Sequence, residues 1–490
     1  MSAREKSCLD LLLQANWSRP APRRARPRSL NQQRLVVVSN RLAEPGKVAA
    51  GGLAVALGEA LAASGGLWFG SSGHVAEDGA AGEGKLRLHR SGNVTLAAID
   101  LSREDHDTYY RGYANGALWP ALHYRLDLAD FDDRYIEGYR RVNRMFARAL
   151  LPLLQPDDVI WVHDYHLIPL AAELRALGCG QRIGFFLHIP LPPPLIVAAI
   201  PAHEWLMRAL FACDLVGLQS QADMNHLSRY LCTEAGAELV GPGIFRAFGR
   251  TLRAGAFPIG IDVDEFAALA RGPAAQQTLA TMREQYVKRK LVVGVDRLDY
   301  SKGLPQRVRA FRTLLERHPE NRHSATLIQV AAPSREEVDA YGDIRRELEG
   351  LCGAINGDFG DLDWIPLRYM HRAVARRRVP GLLRAGRVGL VTPLRDGMNL
   401  VAKEFVVAQD ADDPGVLVLS RFAGAAEQLT DALLVNPYDV HAIADAIQLA
   451  LHMPLEERRA RHRRLLASIR AQDVHWWRKA FLNALTEMRT

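Results

Sequence analysis

Residues 388–405 read VGLVTPLRDGMNLVAKEF. A short apolar run, Val388 to Val391, is broken by Pro393 and Gly397, and an apolar helical pattern resumes at Leu400. Strand, polar turn, helix is the unit from which parallel sheets are assembled. The same unit recurs on both sides. RLVVVSN (34–40), VIWVHDYH (159–166), IGFFLH (183–188) and DLVGLQS (214–220) lie in the first half. KLVVGVDRLD (290–299), ATLIQVAAPS (325–334), GVLVLSRF (415–422) and ALLVNPYD (432–439) lie in the second. Continuous apolar runs, rather than alternating ones, are those of strands covered on both faces. The fold class expected is therefore α/β, with two doubly wound, Rossmann-like domains facing across a cleft.

At 490 residues the chain exceeds a single core. FPIGID (257–262) interrupts the pattern between a hairpin-like stretch and a polar helix, and places the boundary. The division expected is a basic, disordered extension over 1–33, an N-terminal domain over 34–256, a C-terminal domain over 257–455, and terminal helices over 456–490 packing back on the N-terminal domain. Net charge is +7, but residues 1–33 hold seven Lys or Arg against Glu5 and Asp10, a local +5. The remaining +2 over 457 residues is not a surface made for nucleic acid. The uncharged run IGFFLHIPLPPPLIVAAIPA (183–202) carries five prolines and cannot be a lipid-exposed helix, so no membrane partner is expected. Five scattered cysteines, none in CxxC, fit reduced thiols and a cytoplasmic location. A homo-oligomer is left open.

Open α/β sheets bind ligands beyond the carboxyl ends of their strands, where helix N-termini and loop amides converge. Arg41, Asp164, His188, Arg297, Arg335 and Asp396 all fall at such positions. Gly51 and Gly52 precede an apolar helix and allow close backbone approach to a phosphate or sugar, although a tight turn would use them too. They do not form GxGxxG, which removes the main support for a dinucleotide-binding dehydrogenase. In RLDYSKGLP (297–305), Arg297 and Lys302 approach one helix start, where an anion such as a diphosphate would relieve their repulsion. If Asn399 caps the helix after Asp396, Glu404 lies one turn inside. The two carboxylates then address different parts of a ligand, and the amides near Asn399, Leu400 and Val401 face it. His163, Asp164 and His166 suggest no metal, since strand alternation sends His163 and Asp164 to opposite faces. The pair Asp361 and Asp363 carries no assignment. Tyr110 and Trp119, in YYRGYANGALWPALHYR (109–125), either pack or offer faces to a phosphorylated sugar.

Taken together, VVVSNR, AGGLAV, GGLWFG, YYRGYANGALWPALHYR, WVHDYHL, GFFLHIP, RLDYSKGLP, APSR and TPLRDGMNLVAKEFVVAQ resemble the trehalose-6-phosphate synthases, retaining glucosyltransferases of the GT-B architecture. The match runs from about Arg34 to the C-terminus. The resemblance implies transfer of glucose from a nucleotide-glucose, UDP-glucose foremost, to glucose 6-phosphate. It implies a donor site of Gly51, Gly52, His188, Arg297, Lys302, Asp396, Met398, Asn399, Leu400, Val401 and Glu404, and an acceptor site of Arg41, Tyr110, Trp119, Asp164 and Arg335. Asp164, His188, Arg297, Lys302 and Asp396 are the residues expected to carry the chemistry, with no cofactor and no metal. Two positions depart from the family pattern: Ser72 stands where a Trp is frequent, and Val374 where an aromatic often lies near the donor base. Competing readings are a synthase using glycerol 3-phosphate, a non-catalytic sugar-phosphate sensor, and a glycosidase built on Asp396 and Glu404. The last is disfavoured because retaining hydrolysis needs carboxyls about 5 Å apart flanking one bond.

Overall fold

Val36, Val37 and Val38 are fully buried, and a side chain of this size taken out of water contributes roughly 1.5–3 kcal/mol. They lie on strand β1 (Leu35–Arg41) at the centre of the first of two sheets in the computed structural model, which describes residues 33–42, 57–58, 61, 65–76, 85–335 and 338–487. Gly51 and Gly52 lie outside the described residues. The chain divides into one unit of Met1–Phe257 with Trp477–Thr490 and a second of Pro258–Trp476.

The first unit holds a ten-stranded sheet. Its strands are β1, β2 (Gly66–Ala76), β3 (Arg87–Ser91), β4 (Val94–Ser102), β5 (Val159–His163), β6 (Arg182–Phe186), β7 (Leu215–Leu218), β8 (Glu238–Gly241), β9 (Ile244–Ala247) and β10 (Arg250–Ala256). They are ordered β3-β4-β2-β1-β5-β6-β7-β10-β9-β8. The middle of the sheet is parallel, with Val36 opposite Ile160 and Val162 opposite Phe185. The pairs β3–β4, β9–β10 and β8–β9 are antiparallel and form its edges. Trp477 and Phe481, on the last helix (Val474–Thr486), lie against Trp161 of β5 with ring centroids 4.8 and 4.9 Å away. A Cβ on Gly184 would collide with Phe481 and Leu485, so glycine at that point of β6 is what lets this helix seat.

The second unit holds a six-stranded, wholly parallel sheet: β11 (Lys290–Arg297), β12 (Ala325–Ala332), β13 (Leu367–Met370), β14 (Gly386–Val391), β15 (Val416–Ser420) and β16 (Leu433–Val435), ordered β13-β12-β11-β14-β15-β16. Helix Leu455–Ala471 packs here, its His462 ring hydrogen-bonded to the Val406 carbonyl. The group expected over 456–490 is thus divided: Leu455–Ala471 stays with the second unit, and the segment from Trp477 joins the first. The buried aromatic face that decides the second placement exists only from Trp477 onward. No helix among the described residues is long and apolar enough to cross a membrane.

Candidate active site

In the first unit the site residues gather beyond the carboxyl ends of β1, β5 and β6. Arg41 ends β1, and its carbonyl accepts from Ser39 Oγ (3.0 Å), which in turn accepts from the Trp68 indole (2.8 Å). Asp164 follows β5 at φ 76°, ψ 167°, a region essentially reserved for glycine and costing of order 1–3 kcal/mol. Its amide donates to the Phe186 carbonyl (2.8 Å), and its carboxylate accepts from the His188 amide (3.1 Å). The carboxyl end of β6 therefore holds the strained residue in place.

The His188 ring is bound on both nitrogens. Gln219 Nε2 donates to Nδ1 (3.2 Å), so the proton resides on Nε2 and faces His163 Nδ1 (3.0 Å). Burial pushes the His188 pKa down to about 3, and holds His163 well below its usual range. His188 is a neutral, oriented ring and not a proton carrier at neutral pH.

Tyr110 and Trp119 come from a wide π-helix, His106–Leu118, and the turn after it. Such i→i+5 turns concentrate at functional positions. Asn115 donates to the Tyr110 carbonyl (2.9 Å) and accepts from Tyr165 (2.8 Å). Tyr110 stacks on His166 at 6.0 Å, while Trp119 lies 5.7 Å from Tyr165. The structure therefore joins Tyr110, Trp119 and the turn after Asp164 in one aromatic cluster. Tyr139 ties it to the scaffold by donating to the Tyr165 carbonyl (2.6 Å).

In the second unit, Arg297 ends β11 and is exposed, while Lys302 is almost buried. Lys302 Nζ meets Asp396 Oδ2 at 2.5 Å, and Asn399 Nδ2 donates to the same oxygen (3.0 Å). Asn399 adopts φ 75° and its side chain caps the Ala402 amide (3.3 Å) of helix Leu400–Ala408. The other first-turn amides, those of Leu400 and Val401, are among those a helix leaves unsatisfied. Two glycines make the geometry attainable. Gly303, at φ 64°, lets the Lys302 turn pass the Thr392 carbonyl, and a Cβ on Gly424 would collide with the Gly397 carbonyl beneath Met398.

Lys403, fully buried, and Glu404, half-buried, follow. Lys403 Nζ donates to the Ile259 carbonyl (2.7 Å) and Gln428 Oε1 (2.5 Å), and burial pushes its pKa down to about 7. A neutral amine satisfies both acceptors. Burial raises Glu404 to about 7, against the nearby Arg376 guanidinium. Arg335, at φ 47°, is held by the Tyr341 hydroxyl (2.9 Å) and Asp299 (3.4 Å).

Several of these supports were not read from the sequence. Gln219 follows an apolar strand within DLVGLQS and had the same signal as His188. Asp299 and Tyr341, 42 residues apart, have none, since only folding brings them together at 2.9 Å. Ser72 hydrogen-bonds Asp100, which also pairs with Arg87, so a polar cluster occupies that stretch of β2. His323, Asp361 and Asp363 bring ligand atoms within 4.8 Å of one another, but all three are exposed and remote in sequence from the residues above.

The profile of Glycosyltransferase family 20 matches residues 30–487. A trehalose-6-phosphate synthase of Sinorhizobium fredii is 50% identical over 458 residues, covering 92% of this chain and 98% of its own. One from Klebsiella pneumoniae is 49% identical, covering 92% and 95%. Among solved structures, the UDP-forming α,α-trehalose-phosphate synthase of Burkholderia xenovorans in complex with glucose-6-phosphate superposes with a TM-score of 0.89 at 50% identity, over 92% of this chain and 99% of that one. The Escherichia coli protein bound with UDP-2-fluoro glucose gives 0.89 at 46% identity, over 93% and 100%. With its GT-B relatives, nearly full-length match and half-identical sequence, the chain belongs to glycosyltransferase family 20.

Proposed function

We propose that this chain is a retaining glucosyltransferase that moves glucose from a nucleotide-glucose, UDP-glucose foremost, to glucose 6-phosphate, yielding α,α-trehalose 6-phosphate and the nucleoside diphosphate. The observation that carries this is the Lys302–Asp396–Asn399 cluster at the start of helix Leu400–Ala408, with Arg297 at the end of β11. In this reading Arg297, Lys302 and the amides of Leu400 and Val401 take the diphosphate. Asp396 accepts from glucose hydroxyls, Met398 and Asn399 shape the turn around the sugar, and Glu404 accepts from the ribose diol. In the first unit Arg41 takes the acceptor phosphate, Tyr110 and Trp119 flank its sugar ring, and Asp164 accepts from a hydroxyl; in the second, Arg335 is a further phosphate-binding candidate. His188 positions, through the neutral ring described above.

The chemistry is front-face displacement. The bond from the glucose anomeric carbon to the diphosphate oxygen breaks while a bond from the acceptor's anomeric oxygen forms on the same face. The acceptor's proton passes to the departing phosphate oxygen, so neither a protein nucleophile nor a protein base is used. Arg297 and Lys302 stabilise the charge growing on the leaving group, usually the largest single contribution to such catalysis. With those cations in place, a metal is not required by the reading, and activity is expected to survive EDTA.

The test incubates purified protein with UDP-glucose and glucose 6-phosphate and follows UDP release and product mass, with glycerol 3-phosphate as a parallel acceptor. A disaccharide phosphate from glucose 6-phosphate alone is the expected result. Product only with glycerol 3-phosphate, or no turnover with any nucleotide-glucose, overturns it.

A further inference from the structure

A pocket of about 380 Å³ lies in the first unit between the helices Leu170–Ala176 and His203–Ala209 and the β9–β10 turn. Its walls include Arg175, Arg208 and Arg250 with Trp205, Phe211 and Phe248, and no carboxylate is among its lining residues. Arg250 begins β10, and Arg175 binds the carbonyls of Gln181 and Ala212, just before β6 and β7. The pocket is thus at the amino ends of strands whose carboxyl ends carry His188 and Gln219.

Its parts differ in how committed they are. Arg175 is spent on structure, bound to Asp214 (3.0 Å) and three carbonyls. Arg208 and Arg250 form no ion pair among the described residues, and both are exposed. Arg208 lies over the Phe248 ring at 4.9 Å, and Phe248 meets Phe211 edge-on at 5.3 Å. The turn itself is unusual. Ala247 pairs with Arg250, so Phe248 and Gly249 form a two-residue hairpin turn with φ 52° and 69°. That geometry favours Asn-Gly, and a bulky aromatic there is held against its backbone preference. Phe248 is nonetheless 45% exposed, so core packing does not explain it. Strain of this kind is retained where a side chain must be presented.

Phe211 is buried and Trp205 is covered by Arg140 at 4.5 Å, so Phe248 is the exposed aromatic of this pocket. Two cations without carboxylates beside such a ring recognise an anion joined to a flat ring, guanidinium for the phosphate and the aromatic for the ring. We infer that this pocket is a second binding site, separate from the catalytic residues, for a nucleoside monophosphate or an organic phosphate of that class.

The experiment is calorimetric titration of AMP into the full-length protein held in saturating UDP and glucose 6-phosphate, with adenosine and inorganic phosphate as parallel probes. The comparison is between wild type, Arg208→Ala/Arg250→Ala and Phe248→Gly. Because only the pocket differs among these proteins, the comparison holds whatever the catalytic substrates prove to be. AMP is expected to bind wild type, and roughly tenfold or more weakly to the double variant, as loss of charged hydrogen bonds implies. Adenosine and phosphate alone are expected to be similarly weak. Phe248→Gly suits the turn, so it is expected to melt no lower than wild type while still losing AMP affinity. Equal AMP binding by wild type and double variant overturns the site. Phosphate binding as tightly as AMP overturns the ligand class. Failure to bind AMP, with a sedimentation change in the double variant, would make this face an interface between copies of the chain.

Discussion

The carboxyl ends of the two sheets present their site residues by different physical means. In the first unit the supports are neutral: stacked rings, a tyrosine and asparagine hydrogen-bond chain, and two histidines kept uncharged by burial. In the second the supports are charged: Lys302 on Asp396, Arg335 on Asp299, and Arg307 on Asp296 (2.5 Å), the last pair fully buried. Burial raises the Asp296 pKa even though Arg307 opposes it, which shows how costly that pair is to desolvate. The contrast suits the ligands proposed for each. A diphosphate leaving group needs fixed charge arranged in advance, whereas a sugar ring needs faces and oriented acceptors.

The contrast is sharpest where a charge is removed. Arg307→Met leaves Asp296 buried without its cation, and is expected to cost about 3–5 kcal/mol of stability in urea unfolding. A loss below about 1 kcal/mol would show the second unit is not anchored by that pair. Arg297→Ala is expected to reduce turnover about 10²–10³-fold, on the scale of losing one preorganised transition-state donor, with the circular-dichroism spectrum unchanged. Near-normal turnover would remove Arg297 from the charge-stabilising role.

Glu404 gives a pH handle. With its pKa raised to about 7, it gains a proton as pH falls through 7 and loses acceptor capacity toward a diol. Donor affinity should then weaken by up to roughly tenfold per pH unit below 7, and Glu404→Gln should flatten that profile. For folding, the raised value means that the native state keeps a proton the unfolded chain releases from 4.5 upward. Glu404 thus contributes stability that is fully present below pH 4.5 and lost as pH rises to about 7. A donor profile indifferent to pH in both proteins would place Glu404 away from the ribose. The smallest effect belongs to the neutral half: Tyr139→Phe removes one hydrogen bond to the Tyr165 carbonyl and is expected to cost about 0.5–1.5 kcal/mol. Its effect on the KM for glucose 6-phosphate should exceed that on the KM for UDP-glucose, and the reverse order would break the division between the halves.

The parallel strands were legible because each is a continuous apolar run closed by a polar cluster, and nine such runs became β1, β5, β6, β7, β11, β12, β14, β15 and β16. The strands β2, β3, β4 and β13 were not read. β2 passes through Ser71, Ser72 and Gly73, β3 is exposed throughout, and β13 is four residues at an edge. These three lack a long uninterrupted apolar signal, whereas β4 holds the short run Leu96–Ile99 with polar Thr95 and Asp100 on either side. The position of Asn399 as a helix cap was legible for a local reason, since caps act within three residues. The π-helix that carries Tyr110 was not, because its i→i+5 pairing leaves no distinct periodicity in thirteen residues.

Composition, strand-end chemistry and motif order by themselves determined an α/β chain with charged residues at the carboxyl ends of its strands, because those features are written within a few residues of one another. Only the tertiary structure decided that His188 is neutral and Glu404 titrates near 7, that Lys403 turns inward while Lys302 meets Asp396, and that Asp164, Arg335 and Asn399 sit at positive φ. The partners of His188, Lys302, Lys403 and Asp164 come from segments some twenty to more than a hundred residues away, and a local pattern carries no information about them.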